Sequence, residues 1–430
     1  MNYPQACPTI PPLPASAHLV REQRWLNDQR LVTFIIVASV GYQAVLCLLN
    51  TLVLPMSRSL VGLAEAIILM ACVPLLVRRL LPGVVILACL AAAMLCLLSI
   101  INNQVNVKAF RDIAIPLCYF WLGCNIGRLE LADRALKVAI CMVLAMGMFE
   151  LLLLDSYTRW FDIFSYYVSI GSIDPAMDFV REDRLQANGM RPEGIGRTLL
   201  PGLLGPHRVS SVFLEPVSLG NFASLCAAWG LARTHWRDGI FFVVAAVIMM
   251  VLCDSRFALM TVSSFVVLRL LVHGSLLNFC IFAPIAAILL LLVIGYTTPN
   301  ETGRILNDDL QGRLAYSGWS LLQFDALKLL GIGHTKVYYD EGYAHTLATF
   351  GLPMALVFWC SFWLLPISSA TSQRFRAMVS LYIALILCIS GFSFFALKSA
   401  GLLWFLVGCS LQKPAPTPGQ PSYTGGKDAS

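Results

Sequence analysis

The sequence predicts an all-α polytopic membrane protein with about twelve transmembrane helices. Of its 430 residues, 58% are hydrophobic and only 13% are charged, and its mean hydropathy is +0.75. Soluble domains carry roughly a quarter of charged residues. Because a soluble protein of this size could not cover so apolar a chain with polar surface, we expect the bilayer to be its solvent.

Apolar runs divide the chain into candidate spans. Several are shorter than the roughly 20 residues that a spanning helix needs, so twelve spans could be eleven. Only the triplet 254–256 separates two of the runs, which indicates a tight turn at the membrane surface. The runs fall at about 31–54, 59–77, 83–101, 113–127, 138–154, 212–232, 240–253, 257–272, 279–296, 345–367, 378–396 and 399–412.

The distribution of lysine and arginine predicts the orientation, because cytoplasmic loops carry an excess of both. If the N-terminus is cytoplasmic, the cytoplasmic segments hold fifteen such residues and the short outer loops hold five. The fifteen are Arg21, Arg24, Arg30, Arg78, Arg79, Arg128, Arg134, Lys137, Arg233, Arg237, Arg269, Arg374, Arg376, Lys413 and Lys427, and the five are Arg58, Lys108, Arg111, Arg256 and Lys398.

This asymmetry predicts a bacterial inner-membrane protein with both termini in the cytoplasm and two long loops in the periplasm. The first thirty residues are polar and rich in proline, so we expect a tail rather than a cleavable signal peptide. Aromatic residues at the start of the first loop favour an amphipathic helix lying on the membrane interface. The predicted order is a tail (1–30), transmembrane helices 1–5 (31–154), periplasmic loop 1 (155–211), helices 6–9 (212–296), periplasmic loop 2 (297–344), helices 10–12 (345–412) and a disordered tail (413–430).

The few ionisable residues in the apolar runs lie at the predicted outer ends. Intramembrane charges are costly and mark functional sites by default, so this clustering predicts a polar cavity open to the outer face. Each residue alone could instead reach the headgroups, but such residues should then occur at both faces. A proton-driven transporter would want charges near the midplane. The residues are Glu65, Arg111, Asp112, Glu150, Glu215, Asp254, Arg256 and His345.

Three local motifs border the two loops. The first is RVSSVFLEPVSLGNF at 208–222, where loop 1 enters the membrane. The second is the turn Asp254-Ser255-Arg256. The third is GIGHTKVYYDEGYAHTLATFGLP at 331–353, where loop 2 enters the membrane.

These motifs point to phosphate chemistry at the outer surface. The guanidinium groups of Arg208 and Arg256 suit a diphosphate, because arginine binds phosphate oxygens bidentately and stays protonated. His345, at the same depth, is a natural proton acceptor. The combination predicts a lipid-linked phosphate donor and an attacking hydroxyl.

Simpler interpretations of the same residues remain open. The two arginines could anchor lipid phosphates, His345 could cap its helix, and Tyr343 could be an interfacial aromatic. No HExxH, CxxC, Walker-type or GxGxxG motif occurs, so we expect no metal, nucleotide or redox cofactor. The net charge of +6 reflects how charge is distributed across the bilayer rather than affinity for nucleic acid, so we expect no nucleic-acid partner. His334 and His345 with nearby acids are the alternative, a metal site.

The spans, loops and motifs together resemble the O-antigen polymerase and ligase superfamily, of the Wzy and WaaL type. The matching steps are Arg-x-Ser…Phe-x-Glu-Pro at 208–216, the Ser255-Arg256 turn and a Gly-x-Gly…His…Gly-Leu segment at 331–352. The architecture is similar over most of the chain, but the motifs cover only about forty residues. Within the superfamily, the layout is most similar to exopolysaccharide polymerases of the xanthan type.

The resemblance implies a metal-independent, inverting glycosyl transfer on undecaprenyl-diphosphate-linked oligosaccharide at the periplasmic face, with a neighbouring chain-length regulator. Arg208 and Arg256 would bind the donor diphosphate, and Glu215 would hold an arginine or contact sugar. Arg111 and Tyr343 complete the expected substrate-binding set.

The catalytic base is left open by the resemblance. His345 would orient or deprotonate the attacking sugar hydroxyl. However, Thr346 follows it where ligases usually have asparagine, whereas Asp340-Glu341-Gly342-Tyr343 is similar to a polymerase pattern. Asp340 is therefore the alternative base. We expect an exopolysaccharide polymerase; a ligase is the near alternative, and a flippase or other transporter is the alternative from a different class.

Overall fold

A computed structural model describes residues 15–174, 184–185, 189–191, 196–298, 310–333, 338, 340–367 and 369–411. In these ranges the chain is helical and contains no β-strand, only an isolated bridge between Met190 and His207. The prediction of an all-α protein is confirmed.

Most of the helices are joined by short connections, and the longest intervals lie in the two loops, between α7 and α8 and between α12 and α13. They are α1 (Ala15–Leu52), α2 (Arg58–Leu76), α3 (Pro82–Ile101), α4 (Val107–Ile126), α5 (Leu129–Leu152), α6 (Leu154–Trp160), α7 (Ile163–Ser169), α8 (Pro201–Leu204), α9 (Pro216–Ala232), α10 (Trp236–Cys253), α11 (Arg256–Leu271), α12 (Ala283–Thr297), α13 (Leu310–Leu322), α14 (Ala326–Leu329), α15 (Gly342–Trp363), α16 (Ala370–Ile389), α17 (Phe392–Phe395) and α18 (Leu397–Ser410). Two 3-10 helices, Ser211–Phe213 and Gly274–Phe282, precede α9 and α12.

Eight helical segments in the described ranges are long and apolar enough to cross a membrane, which confirms a polytopic membrane protein. The other four predicted runs correspond to α4, α9, α11 and α18. Of these, α11 and α18 have only 16 and 14 residues, and α4 carries charges near its start. The eight segments are Leu26–Leu52, Arg58–Leu76, Pro82–Ile101, Leu129–Leu152, Trp236–Cys253, Gly274–Thr297, Gly342–Trp363 and Ala370–Ile389.

Helices α9 and α18 form the centre of the bundle. Every residue of α9 except Val217 is buried. Glycines allow the backbones around these helices to approach closely: a Cβ on Gly230 of α9 would lie 2.7 Å from the carbonyl oxygen of Gly239 in α10. Gly123 of α4 packs in the same way against Gly408 of α18. Small residues at such crossings are typical of helix packing in membranes.

The start of the first loop folds into the bundle. The structure has two short helices here, α6 and α7, instead of one interfacial helix. Tyr157 and Tyr166 are fully buried, while Trp160 is 53% exposed. The prediction of an aromatic interfacial helix is therefore wrong for most of these side chains, because they pack against α1 and α5 rather than against headgroups.

Part of the second loop is also helical. Its helix α13 packs against α12, where Gly295 and Gly318 let the two backbones touch. The following span, α15, is broken at Gly351, whose φ is +71° and whose conformation is not helical. Non-helical backbone at membrane depth is tolerated where it is buried in protein or lines a cavity.

Both loops contact the same end of the bundle. Arg58, at the start of α2, donates to the carbonyls of Ile170 and Gly171 in loop 1 at 2.7 and 2.5 Å. Asn102, just before α4, accepts from and donates to loop 2 at residues 331–333 over 2.9 Å. Since α2 and α4 run in parallel from that end, the two loops share it.

Candidate functional site

An arginine cluster surrounds Asp254, the residue that ends α10. Arg191 of loop 1 binds its carboxylate in a fork, with Nε and Nη2 at 3.0 and 2.8 Å from Oδ2. The backbone N–H groups of Thr198 and Leu199 donate to Oδ1 at 3.0 and 2.9 Å. Burial alone would raise the pKa of Asp254, but these donors and the Arg191 charge hold it below its usual value. The predicted turn at 254–256 thus anchors loop 1.

Two further arginines of the cluster are buried against the end of α10. Arg208 donates from Nε to the carbonyl of Cys253 at 3.1 Å, and Arg197 donates to the carbonyl of Leu252 at 3.0 Å. Burial, and next the charge of Arg191, lower the pKa of Arg208 to about 10. Burial also lowers the pKa of Arg197. Arg208 remains protonated at neutral pH and contributes positive charge to this end.

Arg256 is the exposed member of the arginine cluster. Its Nε donates to Thr198 Oγ1 at 2.9 Å. Within the described part of the chain its two terminal nitrogens have no hydrogen-bond partner. Both could therefore donate to a phosphate oxygen, and the role of Arg256 in binding a diphosphate stays a prediction.

The chain from His207 to Leu214 is buried and includes the short 3-10 helix Ser211–Phe213. Glu150 of α5 holds it, because its carboxylate accepts from the N–H groups of Ser210 at 2.9 and 3.0 Å and of Ser211 at 2.5 Å. His207 Nε2 lies 3.2 Å from the same carboxylate, outside hydrogen-bond geometry. This arrangement gives Glu150 a structural role in placing the first motif.

Glu215, at the end of that segment, forms an ion pair with Lys398 at the start of α18. Lys398 Nζ donates to Glu215 Oε2 at 3.0 Å and to Gln43 Oε1 at 2.9 Å. Tyr167 of α7 donates to Glu215 Oε1 at 2.8 Å, and Ser218 donates to Oε2 at 2.6 Å. The expected partner of Glu215 was an arginine or a sugar; the structure pairs it with a lysine.

Arg111 belongs to a second charged group, at the starts of α2 and α4. Its Nη1 donates to Glu65 Oε2 at 2.9 Å, and its Nη2 donates to Asp112 Oδ1 at 2.7 Å. Tyr42 donates to the other oxygen of Glu65 at 2.7 Å. Since Glu65 and Asp112 neutralise the charge of Arg111, this group offers little net positive charge to a diphosphate.

His345 lies on the first turn of α15, before the break at Gly351. Its imidazole forms one hydrogen bond to the backbone of Tyr338, while Nε2 is buried with no partner among the described residues. The ring meets the Phe392 ring edge-on at 4.9 Å between centroids, and Lys108 Nζ lies 3.0 Å from the centre of the Phe392 ring. His345 therefore has, among the described residues, one ring nitrogen without a hydrogen-bond partner, and it lies near a cation at the start of a broken helix.

The other two predicted residues of the third motif have different surroundings. Tyr343 is buried, and its hydroxyl donates to the carbonyl of Ala384 in α16 at 3.1 Å. Asp340 is half-exposed and lies 3.8 Å from Nη1 of Arg313. Glu341 between them is buried and accepts from Ser320 at 3.2 Å. Tyr343 is thus tied to the fold, whereas Asp340 remains accessible.

The predicted residues fall into separate groups at one end of the bundle. The structure brings Arg208 and Arg256 together around Asp254, and it places His345 near the α4 group through Lys108. Within the described ranges, no hydrogen bond or ion pair joins the arginine cluster to His345. His334, the second candidate metal ligand, lies outside the described residues, and no group of three or more His, Cys, Asp or Glu in the described ranges is arranged to hold a metal.

Several residues of the site were not singled out from the sequence. In the sequence, Lys398 lies between two apolar runs, in a predicted short outer loop. A lysine inside the apolar stretch 391–407 is nevertheless itself a signal of an intramembrane site. Arg191 and Arg197 carry no such signal, because they lie in a polar loop whose folding against α10 is a tertiary event. Lys108 also lies in a predicted short outer loop, where the sequence gives no indication that it approaches His345.

Comparison with known proteins gives no match: no family model, no curated protein and no solved structure is similar to this chain. The fold and the site by themselves define a polytopic helical membrane protein with a cationic polar region at one end of its bundle.

Proposed function

We propose that the protein is a glycosyltransferase that joins undecaprenyl-diphosphate-linked oligosaccharide repeat units into a long chain, as an exopolysaccharide polymerase. The observation that carries this proposal is that two groups lie at the same end of the bundle. One is the exposed guanidinium of Arg256, and the other is His345, whose Nε2 has no hydrogen-bond partner among the described residues. That end of the apolar bundle is where a lipid-linked diphosphate would be presented. Phosphate binding and proton transfer are the two tasks of such a reaction.

The proposed topology has twelve spans, with both termini in the cytoplasm of a bacterial cell and both loops in the periplasm. The shared contact of the two loops with one end of the bundle supports it. So does the burial of α9 and α18, because a central helix surrounded by protein can be shorter or more polar than one that faces lipid. The positive-inside asymmetry supports a site at the periplasmic surface of the inner membrane.

In the proposed reaction, Arg256 binds the donor diphosphate and the buried charge of Arg208 adds to the positive potential behind it. The oxygen of the acceptor sugar hydroxyl forms a bond to the anomeric carbon of the donor, with inversion. The bond from that carbon to the diphosphate oxygen breaks, and the electron pair leaves with undecaprenyl diphosphate. The hydroxyl proton passes to Nε2 of His345, or to the carboxylate of Asp340.

The energetics need no external energy source. The diphosphate is already a good leaving group, and one preorganised donor to developing negative charge contributes about 3–4 kcal/mol. Positioning the two lipid-anchored chains adds several more. Glu215, Glu150 and Asp254 act in this scheme by holding the segments that carry the site, because each is occupied by protein donors.

The lipid-linked pool of cells that express variants tests the proposal. Arg256→Ala, Arg208→Ala and His345→Ala should accumulate single repeat units on the outer leaflet while export continues. Arg237→Ala, an exposed arginine at the other end of the bundle, is the matched control and should leave chain length unchanged.

Other outcomes of the same experiment identify the alternatives. Repeat units retained on the cytoplasmic leaflet would indicate a flippase. Long chains that form but never reach their final acceptor would indicate a ligase. Normal chains in all three variants would show that the site is wrongly assigned. Reconstitution of the purified protein with a lipid-linked repeat and no other protein then asks whether this chain alone forms the polymer.

A further inference from the structure

A groove of about 590 Å³ lies at the C-terminal end of α15, far along that helix from His345. Its walls come from the 3-10 helix Gly274–Phe282, the end of α15 and the start of α16. A 3-10 helix of nine residues is unusual, since runs longer than three or four residues are uncommon and often mark functional positions.

One wall of the groove is apolar and faces outward. Phe279 and Phe282 are 66% and 55% exposed, and Leu364 is 82% exposed. These side chains belong to a candidate span and to the end of another. They therefore point to where acyl chains would lie around the protein.

The inner side of the groove is cationic. Arg376 of α16 donates from Nη1 to the carbonyl of Trp363 at 2.8 Å and from Nη2 to Asn278 Oδ1 at 3.3 Å. Its guanidinium carbon lies 4.2 Å from the centre of the Trp363 ring. These contacts fix the guanidinium in place, and each terminal nitrogen keeps a second N–H for a ligand oxygen.

This cationic side has no acidic counterpart. Arg376 is the charged residue among the described residues that line the groove, and in the described ranges it pairs with no carboxylate. Arg374 and Arg269 lie near each other at the same end of the bundle, and they too have no carboxylate partner in those ranges. Buried N–H groups of Arg374, Arg376 and Trp363 also lack an acceptor in these ranges. Buried donors without partners are costly, so an anionic acceptor is the missing component.

We propose that the groove binds one anionic phospholipid, with its phosphate on Arg376 and an acyl chain along Phe279 and Phe282. Arginine forks suit phosphate oxygens, and basic pockets between transmembrane helices are typical headgroup sites. A free phosphate would satisfy the arginine but leave the apolar wall without a role, so the lipid is the ligand that matches both sides of the groove.

Native mass spectrometry of the full-length protein in a neutral detergent tests this site. Phosphatidylglycerol should bind in preference to phosphatidylcholine, and glycerol 3-phosphate should not compete. Arg376→Gln should weaken phosphatidylglycerol binding about tenfold, because one charge-assisted contact is lost. Arg237→Gln, which removes an exposed charge from the same end of the bundle, should bind like the wild type.

A second variant separates the loss of the site from loss of the fold. Cys360 lies exposed on the groove wall, so Cys360→Trp fills the groove and leaves Arg376 in place. It should also lose phosphatidylglycerol binding while remaining monodisperse. Equal binding of the two lipids, competition by glycerol 3-phosphate, or unchanged binding in both Arg376→Gln and Cys360→Trp would overturn the proposal.

Discussion

The ammonium group of Lys398 lies 3.0 Å from the carboxylate of Glu215, and this ion pair joins residues 183 positions apart in the chain. It connects the motif where loop 1 enters the bundle to the start of the last helix. Because Lys398 also donates to Gln43 of α1, one cation holds three distant segments together at the end of the bundle where the candidate site lies.

Removing the lysine should therefore destabilise the protein. In Lys398→Met the Glu215 carboxylate loses its counter-ion, and we expect the free energy of unfolding to fall by about 2 kcal/mol. This is below the roughly 3–5 kcal/mol of a fully buried pair, because the Glu215 side chain is 32% exposed. Thermal unfolding of the purified protein in detergent measures the effect.

A double-mutant cycle is the control for this pair. Glu215→Gln combined with Lys398→Met should cost less than the sum of the two single changes, because neither residue then lacks its partner. Strict additivity would show that the two charges do not interact.

The fork between Arg191 and Asp254 predicts how loop 1 is attached. Asp254→Asn removes the charge that binds Arg191 and weakens the acceptor for Thr198 and Leu199. The free energy that holds loop 1 against α10 should fall by about 2–3 kcal/mol. Limited proteolysis of the purified protein in detergent should then cleave loop 1 faster. Asp155→Asn, an exposed acid at the start of the same loop, should keep the wild-type rate; equal cleavage of both variants would contradict the anchoring role.

The same carboxylate predicts the pH dependence of that attachment. Because the folded protein holds the pKa of Asp254 below its usual value of about 3.9, its stabilising contribution is fully present above that value. It is lost as the pH falls through the lower pKa of the folded state. Protease protection of loop 1, followed with an acid-active protease, should persist at neutral pH and decline only in strong acid. Asp254→Asn should not show this titration.

The close packing of Gly391 against His345 predicts the effect of a substitution at this glycine. A Cβ at this glycine would lie 2.7 Å from Cβ of His345, closer than real side chains pack. Gly391→Ala should therefore displace the histidine and reduce polymer formation at least tenfold, with the protein still folded. Gly62→Ala is the matched control, because a Cβ at Gly62 meets no atom within 4 Å. This substitution should leave polymer formation unchanged and should stabilise α2 by roughly 0.5–1 kcal/mol. Polymer formation at the wild-type rate in Gly391→Ala would remove His345 from the site.

The sequence predicted the features that depend on residues close together in the chain. Long apolar runs predicted eight segments that the structure also has, and the triplet at 254–256 predicted the turn between α10 and α11. The placement of charges at one end of the predicted spans indicated that their residues lie at that end, but not that they form separate groups there. Caps such as Ser255, which accepts from Ala258 N–H at 3.3 Å, follow ordinary helix rules.

The sequence was uninformative where partners are distant. Nothing near Arg191 indicates that it binds Asp254, and nothing near Glu215 indicates a lysine from the far end of the chain. The aromatics of 160–167 favour an interfacial helix in the sequence and are mostly buried in the structure, because a hydrophobic face can be covered by either lipid or protein. Composition alone does not distinguish these two environments.

The sequence by itself determined that the protein is helical, membrane-embedded and charged at one end, because the hydrophobic effect and the cost of buried charge act on composition and spacing. Only the tertiary structure decided which charges neutralise each other, that Arg256 and His345 keep nitrogens without a partner among the described residues, and that α15 breaks at Gly351. Those outcomes depend on which helices become neighbours, and pairing energies between residues far apart in the chain exist only once the helices have packed.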